Sequence, residues 1–344
     1  MPLDSRNSAP FLSSEQEQVQ PNENYRDSGS LKGTLKSAYR YFWGEGLSHF
    51  FYRTGGGSQH VRSFLNNKNK KLLIISPGRG ESSLKYAEIC QELKSAGFDI
   101  VVVDHRGQGF SERAGEVGNF GHIEEFENYS SDLEAISLHF KERKIALGSD
   151  EYKKTLLLAH SMGCSAALLS QYKSADFCDG MILSSPMFRV LTPVPHYLAN
   201  FLIRLIRLTF VSKNCVKGVE ARERSLSFQG NILTQCEERF GHFRELEKRH
   251  PQIKCGPPTF SWLGEALKVT RKVFKGGSNL NIPILVMQAE QDQLVCNKTQ
   301  DRFMLKLKNG RIIKLKESKH EILQERSSIR NRAFVQIHKF LKEN

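Results

Sequence analysis

The run Ala159-His160-Ser161-Met162-Gly163 sets a serine between a short apolar stretch, Thr155–Ala159, and a stretch of helical spacing that opens at Gly163. Small residues two before and two after a serine let a strand turn sharply into a helix. The spacing therefore predicts a nucleophile elbow with Ala in place of its first glycine. Backbone strain at such a turn holds the hydroxyl out at the strand's end. A serine hydroxyl is a weak nucleophile; it needs an imidazole as base and a carboxylate to orient that base. Beside elbows of this kind the acid and then the histidine follow the serine, each after a later strand. Asp292, beyond the apolar run Ile284–Gln288, and His320, beyond Ile312–Leu315, occupy those places. Glu290 is the rival acid, and His105 and His160 also fall near strand ends but come too early in the chain.

Acyl transfer at a serine also needs backbone N–H groups already aimed at the developing oxyanion. Met162, next after the serine, should supply one amide, and the turn Pro77-Gly78-Arg79-Gly80 should supply the other from Arg79. The run Asp104-His105-Arg106-Gly107-Gln108-Gly109-Phe110-Ser111 is rich in glycine but opens no helix with a third one. It is read as support for the floor of the site, not as a dinucleotide loop. No cofactor is expected.

These residues need strands to carry them. The short apolar runs Leu72–Ser76, Ile100–Val103, Thr155–Ala159, Met181–Ser184, Ile284–Gln288 and Ile312–Leu315 read as strands buried on both faces of a parallel sheet. Between them, Ser83–Ala96, Glu124–Lys144 and Gly163–Lys173 carry helical spacing; in the second, Phe126, Tyr129, Leu133, Ile136 and Phe140 recur at three and four. The fold class is α/β, a mostly parallel, doubly wound sheet. His49–Thr54 and Val61–Leu65 flank Gly55-Gly56-Gly57 as a hairpin before it. The βα alternation is expected over 31–186 and 282–344. Residues 187–281, helical and punctuated by proline, are expected as an inserted cap over the strands' carboxyl ends. Residues 1–30 read as a flexible polar tail without a secretory signal.

Composition bounds the class. The chain has 344 residues, 39% hydrophobic and 25% charged, which excludes a wholly disordered or fibrous protein. No run approaches the length of a transmembrane helix. Its seven cysteines form no Cys-x-x-Cys pair, which fits neither a disulfide framework nor a zinc site and suggests the reducing cytoplasm. No metal is expected. The net charge is +13, which draws a protein toward polyanions. Residues 187–281 hold 16 Lys plus Arg against 7 Asp plus Glu, so most of that surplus lies in the insertion. With no nucleic-acid motif present, a lipid or phosphate partner is the better reading. Within the insertion, 197–208 is strongly apolar and carries Arg204 and Arg207 as candidate substrate or membrane contacts. Its apolar face can pack on the rest of the chain or rest on an anionic membrane surface, and both remain open.

The strings PGRGESSLKYAE, DHRGQGFSER, LLLAHSMG, SSPMF, NILT, GPPTFSW, QAEQDQLV and KHEIL, in this order over residues 72–323, resemble serine hydrolases of the α/β-hydrolase fold. The likeness is to the branch of monoglyceride lipases and bacterial lysophospholipases. It implies Ser161 as nucleophile, Asp292 as acid, His320 as base, and the Arg79 and Met162 amides as oxyanion hole. It further implies hydrolysis of the single acyl ester of a lysophospholipid, without metal or cofactor. A monoacylglycerol lipase or an acyltransferase is the neighbouring alternative, and a silent binder of acyl ligands the alternative outside enzymes. Cys164 follows the elbow where glycine is common, and Gly78-Arg79-Gly80 has Gly where a larger residue is usual. Oligomeric state is not legible.

Overall fold

The computed structural model describes residues 14–15, 30–52, 57–113, 119–146, 148, 150–207, 209–216 and 227–344. Most of the segment read as a polar tail, and the Gly55-Gly56 tip of the hairpin, lie outside these residues. Within that segment Ser14–Glu15 forms a short strand, β1, antiparallel to Phe50 and Phe51, an element the tail's composition did not announce.

A single nine-stranded sheet forms the core. Its remaining strands are β2 (Leu47–Tyr52), β3 (Ser58–Phe64), β4 (Lys71–Ser76), β5 (Phe98–Val103), β6 (Lys154–His160), β7 (Gly180–Ser184), β8 (Ile284–Ala289) and β9 (Gly310–Leu315). They run in the order β1-β2-β3-β5-β4-β6-β7-β8-β9. β1, β2 and β3 pair antiparallel, as does β3 with β5, and every pairing from β5 through β4 to β9 is parallel. The order reverses at β4, which has β5 on one side and β6 on the other. Such a reversal opens a crevice at the strands' carboxyl ends.

The parallel strands read as unbroken apolar runs because successive side chains enter two separate cores. Leu72, Ile74, Val101, Val103, Leu157 and Ala159 join one; Leu73, Ile75, Ile100, Val102, Leu156 and Leu158 join the other. The helices are α1 (Leu31–Glu45), α2 (Ala87–Leu93), α3 (Glu127–Ala146), α4 (Met162–Lys173), α5 (His196–Arg207), α6 (Glu237–Arg249), α7 (Phe260–Gly276), α8 (Asn297–Met304) and α9 (Ser327–Glu343). The first core is covered by α3, α4, α7 and α8, the second by α1, α2, α6 and α9. Edge strand β9 is only half-buried and carries Arg311 and Lys314, charges that blunt an exposed edge.

The stretch between β7 and β8 holds α5, α6 and α7. Two of these are not peripheral. α7 buries Trp262, Ala266, Val269 and Val273 in the first core, and α6 buries Phe243 and Leu246 in the second. α5 packs on α7 through Ala199, Ile203 and Leu267.

Candidate active site

At the end of β6, Ser161 adopts φ 50° and ψ −113° before α4 begins at Met162. That backbone is costly for a side chain bearing a Cβ. The turn is forced by close packing: a Cβ on Gly163 would meet the carbonyl oxygens of Ser76 and Pro77 at 2.3 and 2.5 Å. Only glycine lets the new helix start this close to β4.

His320 Nε2 lies 2.9 Å from Ser161 Oγ, and His320 Nδ1 lies 2.7 Å from Asp292 Oδ2. The other Asp292 oxygen accepts the backbone amides of Leu294 and Val295 at 2.8 and 3.0 Å, which fixes the carboxylate's orientation. Burial alone would raise the Asp292 pKa, but the His320 charge, its hydrogen bond and these amides together lower it. Burial would also lower the His320 pKa; the Asp292 charge and hydrogen bond outweigh that and raise it. A neutral imidazole with Nδ1–H on Asp292 presents its Nε2 lone pair to Ser161. Glu290 is exposed and accepts the Glu317 amide at 2.9 Å, so it caps a turn.

Of the other two histidines weighed in the sequence, His105 is fully buried and bonds Ser76 Oγ at 2.9 Å. His160 stands beside His320 with ring centres 4.9 Å apart and bonds the Ser184 carbonyl. Burial, the largest influence, takes each of them down to about 4, so both are neutral at ordinary pH.

The turn after β4 passes directly over the serine. A Cβ on Gly78 would lie 2.9 Å from the His160 ring and 3.3 Å from Ser161 Cβ, so this close approach needs glycine. The amides flanking Arg79 are held, Gly78 N–H by Glu81 and Gly80 N–H by Gln108, so the Arg79 peptide cannot drift. Met162 opens α4, where amides have no partner within the helix. Both residues line the cavity that contains Ser161. The Arg79 side chain donates to Gly256 O at 3.1 Å and lies over the Trp262 ring, tying this turn to the insertion. The glycine-rich run after β5 buttresses the turn: Gln108 also donates to Gly78 O at 2.7 Å. Asp104 accepts from Ser83 Oγ and Phe110 N–H, each at 3.0 Å.

Sequence reasoning missed a charged network in the wall of this cavity. Lys85 Nζ bridges Glu81 Oε1 at 2.8 Å and Glu321 Oε1 at 2.5 Å, and Tyr86 donates to Glu81 Oε2 at 2.7 Å. The signals were the Glu81-to-Lys85 spacing of one helical turn and a carboxylate directly after His320. Glu81, Lys85, Arg244 and Glu321 line a cavity of about 540 Å³ together with the apolar Met187, Val190, Leu191, Val216, Trp262 and Leu294.

A second Ser–His–Asp connection exists. His60 bonds Asp104 Oδ2 at 2.7 Å and Ser48 Oγ at 3.0 Å. All three are buried at 4% exposure or less, and Arg62 also donates to Ser48. With no opening for a substrate, this set is a brace between β2, β3 and the loop after β5.

Arg204 and Arg207, read from the sequence as substrate or membrane contacts, do not line the Ser161 cavity. Arg207 Nη1 pairs with the buried Glu265 at 2.7 Å, because α7 brings that carboxylate under α5. Arg204 is exposed. The outward row of α5, Tyr197, Leu198, Phe201, Leu202 and Leu205, is exposed as well.

A sharp strand-to-helix turn bearing a serine, with a histidine and a buried aspartate on later loops of a mostly parallel sheet, defines the α/β-hydrolase fold carrying a serine nucleophile site. Residues 67–327 match the family described as serine aminopeptidase, S33. The chain belongs to that family and is a serine hydrolase. It is 30% identical over 288 residues to lysophospholipase L2 of Escherichia coli strain K12, covering 82% of this chain and 83% of the relative. It is 32% identical over 275 residues to the probable lysophospholipase L2 of Haemophilus influenzae, covering 79% and 84%. Among solved structures it resembles a soluble variant of monoglyceride lipase from Saccharomyces cerevisiae bound to a substrate analogue. There the TM-score is 0.64 at 16% identity, over 87% of this chain and 96% of the other. No described helix is long and apolar enough to cross a membrane.

Proposed function

We propose that this chain hydrolyses the acyl ester of lysophospholipids through an acyl-enzyme on Ser161. The observation that carries the reading is the continuous hydrogen-bond chain from Ser161 through His320 to Asp292, set in a cavity lined by both apolar and charged side chains. In this mechanism Ser161 Oγ attacks the ester carbonyl while its proton passes to His320 Nε2. The amides of Met162 and Arg79 stabilise the oxyanion. His320 then gives the proton to the departing glycerol oxygen, and a water, activated by the same imidazole, releases the fatty acid. The apolar lining residues suit the acyl chain, and Lys85, Arg244 and Glu321 suit the polar leaving group.

The similarity to lysophospholipases over more than three quarters of the chain supports this substrate class. Residues 187–281 act as the cap, and the exposed row of α5 rests on the membrane that holds the substrate. All seven cysteines are free thiols, which supports a reducing, cytoplasmic setting. The test is turnover of lysophosphatidylethanolamine against monoacylglycerol of the same chain length. A clear preference in kcat/KM for the phospholipid supports the reading, and preference for monoacylglycerol replaces it with the lipase alternative.

A further inference from the structure

Beside the exposed row of α5 lies a second cavity, of about 340 Å³, apart from the one that contains Ser161. It is lined by Asn200, Ile203, Arg204 and Arg207 from α5 and by Gly264, Lys268 and Arg271 from α7. The two helices approach because residue 264 is glycine: a Cβ there would meet Arg207 Cδ at 2.6 Å and Ile203 Cγ2 at 2.9 Å. Four cations thus line one groove. The acids that face it are Glu265, held by Arg207 at 2.7 Å and Lys268 at 3.3 Å, and Glu127, which lies 3.9 Å from Lys268 and 3.1 Å from Lys272. Among the described residues neither Arg204 nor Arg271 has an acidic partner. Like charges gathered in a concave site repel one another and raise the potential for an anion.

The position of the groove says which anion. Arg204 follows Phe201 by three residues, so it lies next to that side chain on the helix surface, and it shares a face with Tyr197 two turns earlier. A helix resting its apolar row on a bilayer holds flanking residues at headgroup depth. We infer that the α5–α7 groove is a binding site for the phosphate of an anionic membrane phospholipid, separate from the reaction site, with Arg204 and Arg271 as its principal contacts. Arg207 belongs to the groove's frame, since its charge is committed to Glu265. The inference rests on the membrane-facing reading of α5 but needs no turnover.

The experiment measures partition of the full chain to vesicles of phosphatidylcholine alone and of phosphatidylcholine with phosphatidylglycerol. The proteins are wild type, Arg204→Ser/Arg271→Ser, Phe201→Ser/Leu205→Ser, and a charge-matched control, Lys339→Ser/Lys342→Ser, on α9. The groove variant should lose about 10-fold or more in partition to the anionic vesicles, keep its partition to neutral ones, and hydrolyse a soluble aryl ester within about twofold of wild type. Loss of the same size in the α9 control overturns the proposal, because diffuse net charge then explains binding. Equal wild-type partition to both vesicles overturns the groove but leaves the α5 face standing. No partition to either overturns both. Wild-type protection by inorganic phosphate, abolished in the groove variant without any vesicle effect, reassigns the groove to a soluble anion and overturns the lipid proposal.

Discussion

His160 and His320 stand with ring centres 4.9 Å apart, yet their environments push their protonation in opposite directions. Burial takes His160 down to about 4. His320 is equally buried, but the Asp292 charge and hydrogen bond raise its pKa above the ordinary 6.5. His320 has a carboxylate hydrogen-bonded at 2.7 Å, whereas the carboxylate nearest His160, Glu81, is 4.0 Å away. The pair thus provides one imidazole whose pKa is raised and one that stays neutral at ordinary pH, with no second positive charge against it.

Activity should therefore rise with pH through a single midpoint above 6.5, since the base must be neutral. The accompanying stability runs the other way. A raised native pKa contributes stability below the unfolded value, and that contribution is lost as pH rises through the native one. A pH profile of kcat/KM on a soluble aryl ester checks this, and His160→Gln should still show one midpoint above 6.5.

The two acids after β8 are separable. Asp292→Asn should lower kcat on the order of 10³–10⁴-fold and move the midpoint down, because the imidazolium loses its partner. Glu290→Gln should change kcat less than about twofold. Steady-state kinetics of the two variants measured side by side would decide the matter, and the reverse pattern would transfer the role to Glu290.

Ser161 sits at φ 50°, so its side chain is retained against a local cost. Ser161→Ala and Ser161→Gly both remove the hydroxyl and should both abolish ester hydrolysis. Because glycine accepts this backbone, Ser161→Gly should exceed Ser161→Ala in stability by about 1 kcal/mol or more. Urea denaturation of the pair isolates the strain.

Lys85→Met would leave Glu81 and Glu321 buried without their shared cation, at a cost of about 3 kcal/mol near pH 7. Burial alone would raise the Glu81 pKa, but the Lys85 charge, followed by His160, brings it down to about 2. A depressed native pKa contributes stability above the unfolded value and loses it as pH falls toward the native one. The gap between wild type and variant should accordingly shrink below pH 4.5, which denaturation at pH 7 and pH 4 would reveal.

Much of this was legible from local pattern. Each run became a parallel strand within a residue or two; the inner ones are apolar throughout because a strand between two cores needs apolar side chains at every position, whereas edge strand β9 is half-buried and carries Lys314. The order Ser161, Asp292, His320 was legible because a fixed sheet order dictates which loops converge. What was not legible depends on contacts between distant segments. Lys85 meets Glu321 across 236 residues, and nothing in either segment names the other. Glu265 of α7 likewise lies under α5 and commits the charge of Arg207, a pairing that neither segment names. The Ser48–His60–Asp104 brace shows the converse: matching residue types reproduce a connection without an opening, and Ser48→Ala should leave turnover unchanged.

The most direct test is titration of lysophosphatidylethanolamine hydrolysis against labelling by a fluorophosphonate, with the labelled peptide identified by mass spectrometry. One label per chain, on Ser161, with activity falling in proportion to occupancy and reaching zero at full labelling, is the predicted result. Hydrolysis that persists in fully labelled protein, or a label on another residue that accounts for the loss, would contradict it.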